Sequence, residues 1–248
     1  MFILKTSKCR IFNRRTRNII GTLLFIAGII LSESCSHPIC DGVRNDSTGR
    51  KQVIFQNLTL RPGTEGIDAI VISYYPETNF GNSKTLSATI LGKERNRYLE
   101  KGYIDFDLSD VVPSDAKIKK STLKLYADTV NQINKDNIPK GHYMGEYTIW
   151  NVSFVKRPWD EKNITWFNQL TIPTEELMII DVAERNDQAF LLDVTEYVKK
   201  KVRRDPDVHG LVLDVKWMPM EGSIRFCSSD HQNNELRPAL YIEYEIER

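Results

Sequence analysis

Residues 121–127 read S-T-L-K-L-Y-A, and polar side chains alternate with apolar ones along them. Leu123 and Leu125 point to one side of the segment and their polar neighbours to the other, because successive side chains of a β-strand face opposite sides of a sheet. Alternation with a period of two is typical of an antiparallel strand with one buried face. Residues 147–155 show the same pattern, so the sequence predicts half-buried strands.

Segments of this kind recur from residue 53 to the end of the chain. We predict strands at Val53–Leu60, Ala69–Tyr74, Thr85–Leu91, Tyr103–Leu108, Ser121–Ala127, Tyr147–Val155, Leu177–Asp181, Phe190–Val194, Gly210–Trp217, Ser223–Ser228 and Ala239–Ile246. One segment differs, because Val194, Val198 and Val202 lie four residues apart and Thr195 can cap a short helix. The pattern favours an all-β fold, an antiparallel two-sheet β-sandwich (jelly-roll-like) with one short helix covering an edge or an end.

The first 34 residues have the composition of an export signal. They contain six basic residues, one acidic residue and the apolar run I-I-G-T-L-L-F-I-A-G-I-I-L at residues 19–31. As a helix this run spans about 20 Å, which is shorter than the roughly 20 residues that cross a membrane. A basic flank followed by a short apolar core is typical of a signal peptide. An uncleaved signal anchor is the alternative.

The residues after the apolar run resemble a bacterial lipoprotein signal. Cys35 directly follows Ser34, although Glu33 stands where a small residue is usual. In that family the cysteine is acylated and becomes the mature N-terminus. We therefore predict a signal peptide over residues 1–34, lipidation at Cys35, a polar tether over residues 35–51 and a folded domain over residues 52–248. The protein is then exported and anchored to a membrane, at the outer membrane or the cell surface.

The charge of the folded part argues against a nucleic-acid partner. The chain has 34 basic and 33 acidic residues, and the first 34 positions contain six of the basic residues and one of the acidic residues. The remaining 28 basic and 32 acidic residues give a net charge of −4. Binding to phosphates needs clustered lysine and arginine.

The four cysteines suggest no zinc site by their spacing. Cys9 lies in the signal and Cys35 is the lipidation candidate. Cys40 and Cys227 remain, and they either form a disulfide in an oxidising compartment or leave Cys227 as a buried free thiol.

An ordered set of motifs resembles a known domain family. The set is D-A-I-V-I-S-Y-Y-P-E-T-N-F-G-N-S-K-T-L-S (68–87), Y-I-D-F-D-L-S (103–109), A-K-I-K-K-S-T-L-K-L-Y (116–126), R-P-W-D-E-K-N-I-T-W-F-N-Q (157–169), L-D-V-T-E-Y-V (192–198), H-G-L-V-L (209–213), I-R-F-C-S-S-D (224–230) and R-P-A-L-Y-I-E-Y (237–244). This succession resembles the DNRLRE domain, which is related to the disaggregatase-related repeat and to carbohydrate-binding modules found beside alginate lyases. The resemblance covers roughly residues 53–248 and implies a β-jelly-roll and, in several members, polysaccharide binding.

Sugars stack their C–H faces on aromatic rings, and uronate carboxylates pair with basic side chains. The candidate ligand-binding residues are Tyr74, Tyr75, Phe80 and Asn82 in a turn-rich segment, Arg95 and Arg97 in a basic loop, and Trp217 near a probable hairpin tip. Most residues of the motifs also have a structural interpretation. Asn79 and Gly81 are residues that tolerate a positive φ in a turn, and Trp159 and Trp166 are more typical of a core than of a ligand platform.

The sequence contains no nucleophile elbow, zinc-protease motif or nucleotide-binding loop, and we assign no catalytic residue. No cofactor is predicted, although a structural calcium ion with Asp68 among its ligands is one alternative. The favoured function is a non-catalytic surface lipoprotein that binds polysaccharide, with uronate-containing polymers as candidates. A structural or adhesive subunit that contacts proteins of a degradative or surface assembly is the alternative, and a polysaccharide lyase or hydrolase ranks below both.

Overall fold

The computed structural model describes residues 52–63, 65–92, 97–128, 149–169, 174–180, 189–217 and 221–248, with the side chains of Lys216 and Trp217 left out. The predicted signal peptide, Cys35 and the tether lie outside the described residues. Among the helices of the described part, none is long and apolar enough to cross a membrane.

Two antiparallel sheets make up the domain. The strands are β1 (Val53–Leu60), β2 (Gly66–Ile72), β3 (Thr85–Leu91), β4 (Tyr98–Phe106), β5 (Lys117–Tyr126), β6 (Ile149–Val155), β7 (Thr174–Ile180), β8 (Ala189–Asp193), β9 (Leu211–Trp217), β10 (Gly222–Cys227) and β11 (Ala239–Glu247). The smaller sheet has the order β1-β11-β5-β8. The larger sheet has the order β10-β3-β4-β9-β6-β7, and β2 also pairs with β4. The predicted antiparallel β-sandwich is thus confirmed.

The apolar faces of the two sheets form the main core. The alternation seen in residues 121–127 places Leu123 and Leu125 in this core. Phe190 of β8 and Phe226 of β10 meet edge to face, with their ring centroids 5.3 Å apart. Each fully buried side chain of this size contributes about 1.5–3 kcal/mol relative to an exposed one, so contacts across the sandwich hold the sheets together.

A second apolar cluster lies on the other face of β2. Ala69 and Val71 pack there, while Ile70 and Ile72 join the main core. The segment from residue 156 to 169 covers this cluster with Trp159 and Trp166. It ends in the short helix α1 (Trp166–Gln169). A strand that is buried on both faces needs such a cover, and the cover also positions the candidate site.

The longer helix, α2 (Thr195–Val202), packs against β5. The buried Tyr197 of α2 donates a hydrogen bond to Asp105 of β4 at 2.7 Å, so the helix also contacts the larger sheet. The prediction that Thr195 caps this helix is wrong, because Thr195 is its first residue and the N-cap is Val194, which makes no side-chain capping bond. Asp193 lies one residue before this cap, and its Oδ1 accepts hydrogen bonds from the Thr195 backbone N–H at 2.9 Å and from the Thr195 hydroxyl at 2.6 Å.

Candidate functional site

Within the described part of the chain, the connection between β2 and β3 carries two adjacent exposed aromatic residues. The chain turns directly after β2, where the Tyr75 N–H donates to the Ile72 carbonyl at 3.1 Å and the Thr78 N–H donates to the Tyr75 carbonyl at 3.0 Å. This tight turn leaves Tyr74 53% exposed and Tyr75 45% exposed. Two adjacent tyrosines are therefore available at the surface.

Neighbouring rings hold these tyrosines in place. Tyr74 packs edge to face on Tyr98, with 5.3 Å between the ring centroids. Tyr75 packs in the same way on the half-buried Phe80, with 6.0 Å between the centroids. Edge-to-face contacts of this kind stabilise an aromatic pair by about 0.5–1.5 kcal/mol. Both tyrosines are thus partly ordered before any ligand arrives.

Arg97 lies at the edge of the same surface. Backbone pairing fixes its position, because the Ser73 N–H donates to the Leu99 carbonyl at 2.9 Å and the Leu99 N–H donates to the Ser73 hydroxyl at 2.8 Å. Arg97 is exposed two residues before Leu99, and Tyr74 directly follows Ser73. The backbone of Arg97 therefore lies on the segment that pairs with the chain leading into the two tyrosines.

Phe167 of α1 extends this surface, and the sequence interpretation missed it. Its backbone N–H donates to the Pro76 carbonyl at 2.8 Å, and its side chain is 70% exposed. Trp166 turns inward onto the second apolar cluster. The W-F pair could have signalled this, since two adjacent aromatic residues in one helical turn cannot both face the core. We call Tyr74, Tyr75, Phe80 and Phe167 the aromatic platform.

A network of short contacts anchors the platform to the covering segment. The Asn79 side-chain amide donates to the carbonyls of Glu161 and Ile164, each at 2.8 Å, and its Oδ1 accepts from the Gly81 N–H at 3.2 Å. A Cβ atom at Gly81 would lie 2.2 Å from the Glu161 carbonyl oxygen. The predicted turn is present, but neither Asn79 nor Gly81 has the positive φ that these residue types tolerate. Glycine is needed at position 81 for the close approach to Glu161 instead.

The structure describes the remaining predicted ligand residues to different extents. Asn82 is exposed at the end of the β2–β3 connection, next to the platform in the chain. Arg95 lies outside the described residues. Trp217 ends β9, but its side chain is not described. Trp159 and Trp166 are partly buried, as expected of core residues, and the Trp159 indole donates to the His209 carbonyl at 2.8 Å.

A buried polar cluster supports the platform from below. Tyr98 donates its hydroxyl to Glu100, and the Ser87 hydroxyl donates to the same carboxylate at 2.6 Å. Arg225 of β10 pairs with Glu100 at 3.5 Å, and both side chains are fully buried. Burial and the adjacent Glu100 raise the pKa of Tyr98 far above its usual value, so its hydroxyl stays protonated as a donor.

Asp68, the candidate calcium ligand, is buried near the covering segment. Its Oδ2 accepts the Ser229 N–H at 2.7 Å, and its own N–H donates to Glu161 Oε1 at 3.0 Å. Burial, with smaller contributions from the charges of Glu161 and Asp230, raises the pKa of Asp68 to about 7, although hydrogen bonds from Ser229 act in the opposite direction. Calcium takes six to eight oxygen ligands, and a calcium site at Asp68 stays a prediction.

Cys227 is a buried free thiol at the end of β10. Its Sγ lies 3.8 Å from the Ala127 carbonyl. The other cysteine of the proposed disulfide, Cys40, lies outside the described residues. Cys227 thus follows the second of the two alternatives left open by the sequence.

A cavity of about 380 Å³ lies at the C-terminal end of α2, among Asp107, Ser114, Lys201, Arg204 and Asp205. No aromatic ring of Tyr, Trp or Phe is among its described lining residues. Several of its charges are already balanced, since Lys201 pairs with Asp105 at 2.9 Å and Asp205 lies 3.7 Å from Lys200. The aromatic platform is therefore the better candidate for a sugar-binding surface.

Comparison with known proteins gives the family. The search of curated proteins finds no match to this chain. The family described as carbohydrate-binding module family 96 matches residues 63–244, which include the larger sheet, the covering segment, the whole aromatic platform and the smaller sheet apart from β1 and the end of β11. The resemblance to carbohydrate-binding modules is thereby confirmed, while the resemblance to the DNRLRE domain stays a prediction. The chain belongs to carbohydrate-binding module family 96.

Proposed function

We propose that the protein is a non-catalytic module that binds polysaccharide on the aromatic platform. The observation that carries this proposal is the exposure of Tyr74, Tyr75 and Phe167 around one turn, on a chain of a carbohydrate-binding family. When a sugar ring covers exposed aromatic rings, apolar surface is removed from water, which favours binding. Exposed apolar groups that cluster on a folded protein commonly mark a binding site. The platform is anchored, so ligand binding orders few side chains.

The charge at the edge of the platform indicates the class of polysaccharide. Arg97 is exposed on the segment that pairs with the chain leading into Tyr74, and a guanidinium binds a carboxylate through two parallel hydrogen bonds. Polymers that contain uronate residues present one carboxylate per such sugar. We therefore place anionic polysaccharides ahead of neutral glucans as ligands, with an affinity that falls as salt concentration rises.

Platform variants test the proposal. The full chain, purified in detergent, is titrated with alginate, pectin and a neutral glucan, and binding is measured by calorimetry. Tyr75→Ala and Phe167→Ala should each weaken binding about tenfold, because loss of about 1.4 kcal/mol of ring contact corresponds to that factor. Phe55→Ala is the matched control, since Phe55 is 66% exposed on β1, outside the platform, and should leave affinity unchanged.

Further arms separate the alternatives. Arg97→Gln should weaken binding to alginate and pectin while sparing a neutral glucan. Release of new reducing or unsaturated ends in any mixture would contradict the non-catalytic assignment. Equal losses in Phe55→Ala and Tyr75→Ala would contradict the platform.

The structural or adhesive alternative has one supporting observation. Strand β1 is an edge strand of the smaller sheet and exposes Val53 and Phe55. Exposed apolar residues on an edge strand can pair with another chain. Failure of the chain to bind any glycan would favour this alternative over the platform.

We also propose that an N-terminal lipid on Cys35 holds the domain at a membrane surface. Support comes from the basic flank and the short apolar run that precede Cys35. Expressed in a bacterial host, the wild-type chain should fractionate with membranes and incorporate labelled palmitate. Cys35→Ala should incorporate no label, whereas Cys40→Ala, the matched control, should behave as wild type. Equal labelling of the two variants would contradict lipidation at Cys35.

A further inference from the structure

Three side chains with metal-binding atoms meet at the end of β10. Asp128 follows β5, Cys227 ends β10, and His231 lies in the turn that follows. Within the described part of the chain, their carboxylate, thiol and imidazole atoms form a group in which all lie within 4.8 Å of one another. The aromatic platform uses none of these residues.

Backbone pairing brings the three residues together. Ala127 and Phe226 form an antiparallel bridge, and the Asp128 N–H donates to the Arg225 carbonyl at 2.9 Å. These contacts place the end of β5 alongside the end of β10. The chain then turns back, with the His231 N–H donating to the Ser228 carbonyl at 3.2 Å. The cluster therefore joins segments that are far apart in the sequence.

The surroundings of the cluster resemble the support that metal ligands have. All three side chains are buried. The Thr85 hydroxyl donates to Asp128 Oδ2 at 2.6 Å and so fixes the orientation of the carboxylate. His231 Nδ1 lies 3.3 Å from the Asn233 carbonyl and 3.2 Å from the Asn233 backbone N–H, so Asn233 fixes the orientation of the ring. Zinc binding through Nε2 requires the tautomer with the proton on Nδ1, which then donates to the Asn233 carbonyl. A backbone carbonyl on the second imidazole nitrogen is common behind metal-bound histidine.

The chemistry of the three ligands selects the ion. Calcium and magnesium prefer oxygen ligands alone, so a thiol argues against both. A thiolate, an imidazole and a carboxylate together suit zinc, and the two negative charges match a divalent cation. Zinc bonds of about 2.0–2.3 Å in a tetrahedron place ligand atoms about 3.5 Å apart. The observed spread thus needs a small contraction, and a water molecule can take the fourth position.

We propose that Asp128, Cys227 and His231 bind one zinc ion that ties the end of β5 to the turn after β10. The ion stabilises the folded domain because it binds the folded chain and has no assembled site in the unfolded one. Its role is structural and separate from glycan binding.

Zinc content and cobalt spectra test the site. The full chain in detergent is stripped with EDTA, given a small excess of zinc and passed over a desalting column. We expect one zinc per chain and a higher melting temperature. With Co²⁺ in place of zinc, a thiolate-to-cobalt charge-transfer band should appear, which demonstrates a sulfur ligand without any substitution in the chain.

Variants assign the ligands. Cys227→Ser should lose the charge-transfer band, and His231→Gln should bind zinc at least about tenfold more weakly. Cys40→Ser, the thiol control, should keep both the band and the zinc. Wild-type protein that is folded by circular dichroism yet retains no zinc would overturn the proposal. So would a Cys227→Ser variant with an unchanged cobalt spectrum, or a Cys40→Ser variant that loses the band.

Discussion

Glu100→Gln is expected to lower the free energy of unfolding by about 3–5 kcal/mol. The substitution removes the carboxylate that pairs with Arg225 at 3.5 Å, and both groups are fully buried. A guanidinium cannot lose its proton at ordinary pH, so the variant leaves a buried positive charge without this counter-charge. Desolvation of that charge, rather than the lost hydrogen bonds, accounts for most of the effect.

A double-mutant cycle distinguishes this cause from general damage. Arg225→Met should also destabilise the domain, because it leaves the Glu100 carboxylate buried. The double variant Glu100→Gln/Arg225→Met contains no buried charge of this pair and should be more stable than either single variant. Urea unfolding followed by tryptophan fluorescence measures all four proteins.

Exposed ion pairs provide the control for this cycle. Glu196 pairs with Lys199 on the surface of α2, and Glu196→Gln should change the free energy of unfolding by less than about 0.5 kcal/mol. Additive losses in the Glu100 and Arg225 variants would show that the two side chains do not act as a pair, contrary to the prediction.

The buried pair also connects stability to the proposed function. Glu100 accepts a hydrogen bond from the Tyr98 hydroxyl, and the Tyr98 ring packs edge to face against Tyr74. Loss of the carboxylate removes one restraint on that ring. The order of the platform thus depends on the buried Glu100–Arg225 pair, which does not itself contact a sugar.

Local patterns in the sequence predict most of the fold. Alternation is a local property of each strand, and burial of one face enforces it, so segments such as β1 and β3 begin and end where predicted. Strand β4 begins at Tyr98, earlier than predicted, because Glu100 is a charged residue that breaks the apolar pattern. Its buried position depends on Arg225, which lies 125 residues away in the chain.

The candidate site was only partly predictable, because it too depends on contacts between residues that are distant in the chain. Tyr74 and Tyr75 are adjacent in sequence, so one turn exposes both. Phe167 is brought near them by the hydrogen bond from its backbone N–H to the Pro76 carbonyl, and no local pattern in the sequence indicates this contact. Asp128 and Cys227 are likewise distant in the chain, and the spacing of cysteine and histidine gave no sign of a metal site. Contacts between distant segments are properties of the fold and not of the spacing.

The stability of the domain is expected to fall between about pH 4 and pH 7 because of Asp68. Burial raises the pKa of this carboxyl from 3.8 to about 7, so the folded chain binds its proton more tightly than the unfolded chain does. Between these values the folded state holds more protons, and the free energy of unfolding decreases as pH rises. Three pKa units correspond to a change on the order of 4 kcal/mol.

Asp68→Asn isolates this contribution, because an amide has no proton to lose in this range. Urea unfolding in EDTA, at pH 4.5, 5.5, 6.5 and 7.5, should show the stability of the variant rising relative to wild type as pH increases. Asp193→Asn is the matched control. Hydrogen bonds from Thr195 lower the pKa of Asp193, so its contribution is constant above pH 4.5 and the control should run parallel to wild type.

Calcium provides the decisive second arm of this experiment. A calcium ion bound by Asp68 would hold the carboxylate in its charged form, so added calcium should remove the loss of stability near pH 7 in wild type and have no effect on Asp68→Asn. If calcium changes neither protein, the carboxyl titrates alone and the predicted calcium site is wrong. If wild type and Asp68→Asn run parallel in EDTA from pH 4.5 to 7.5, Asp68 is not held protonated by its burial. The carboxylate must then be stabilised by more than the Ser229 N–H that the structure places at 2.7 Å.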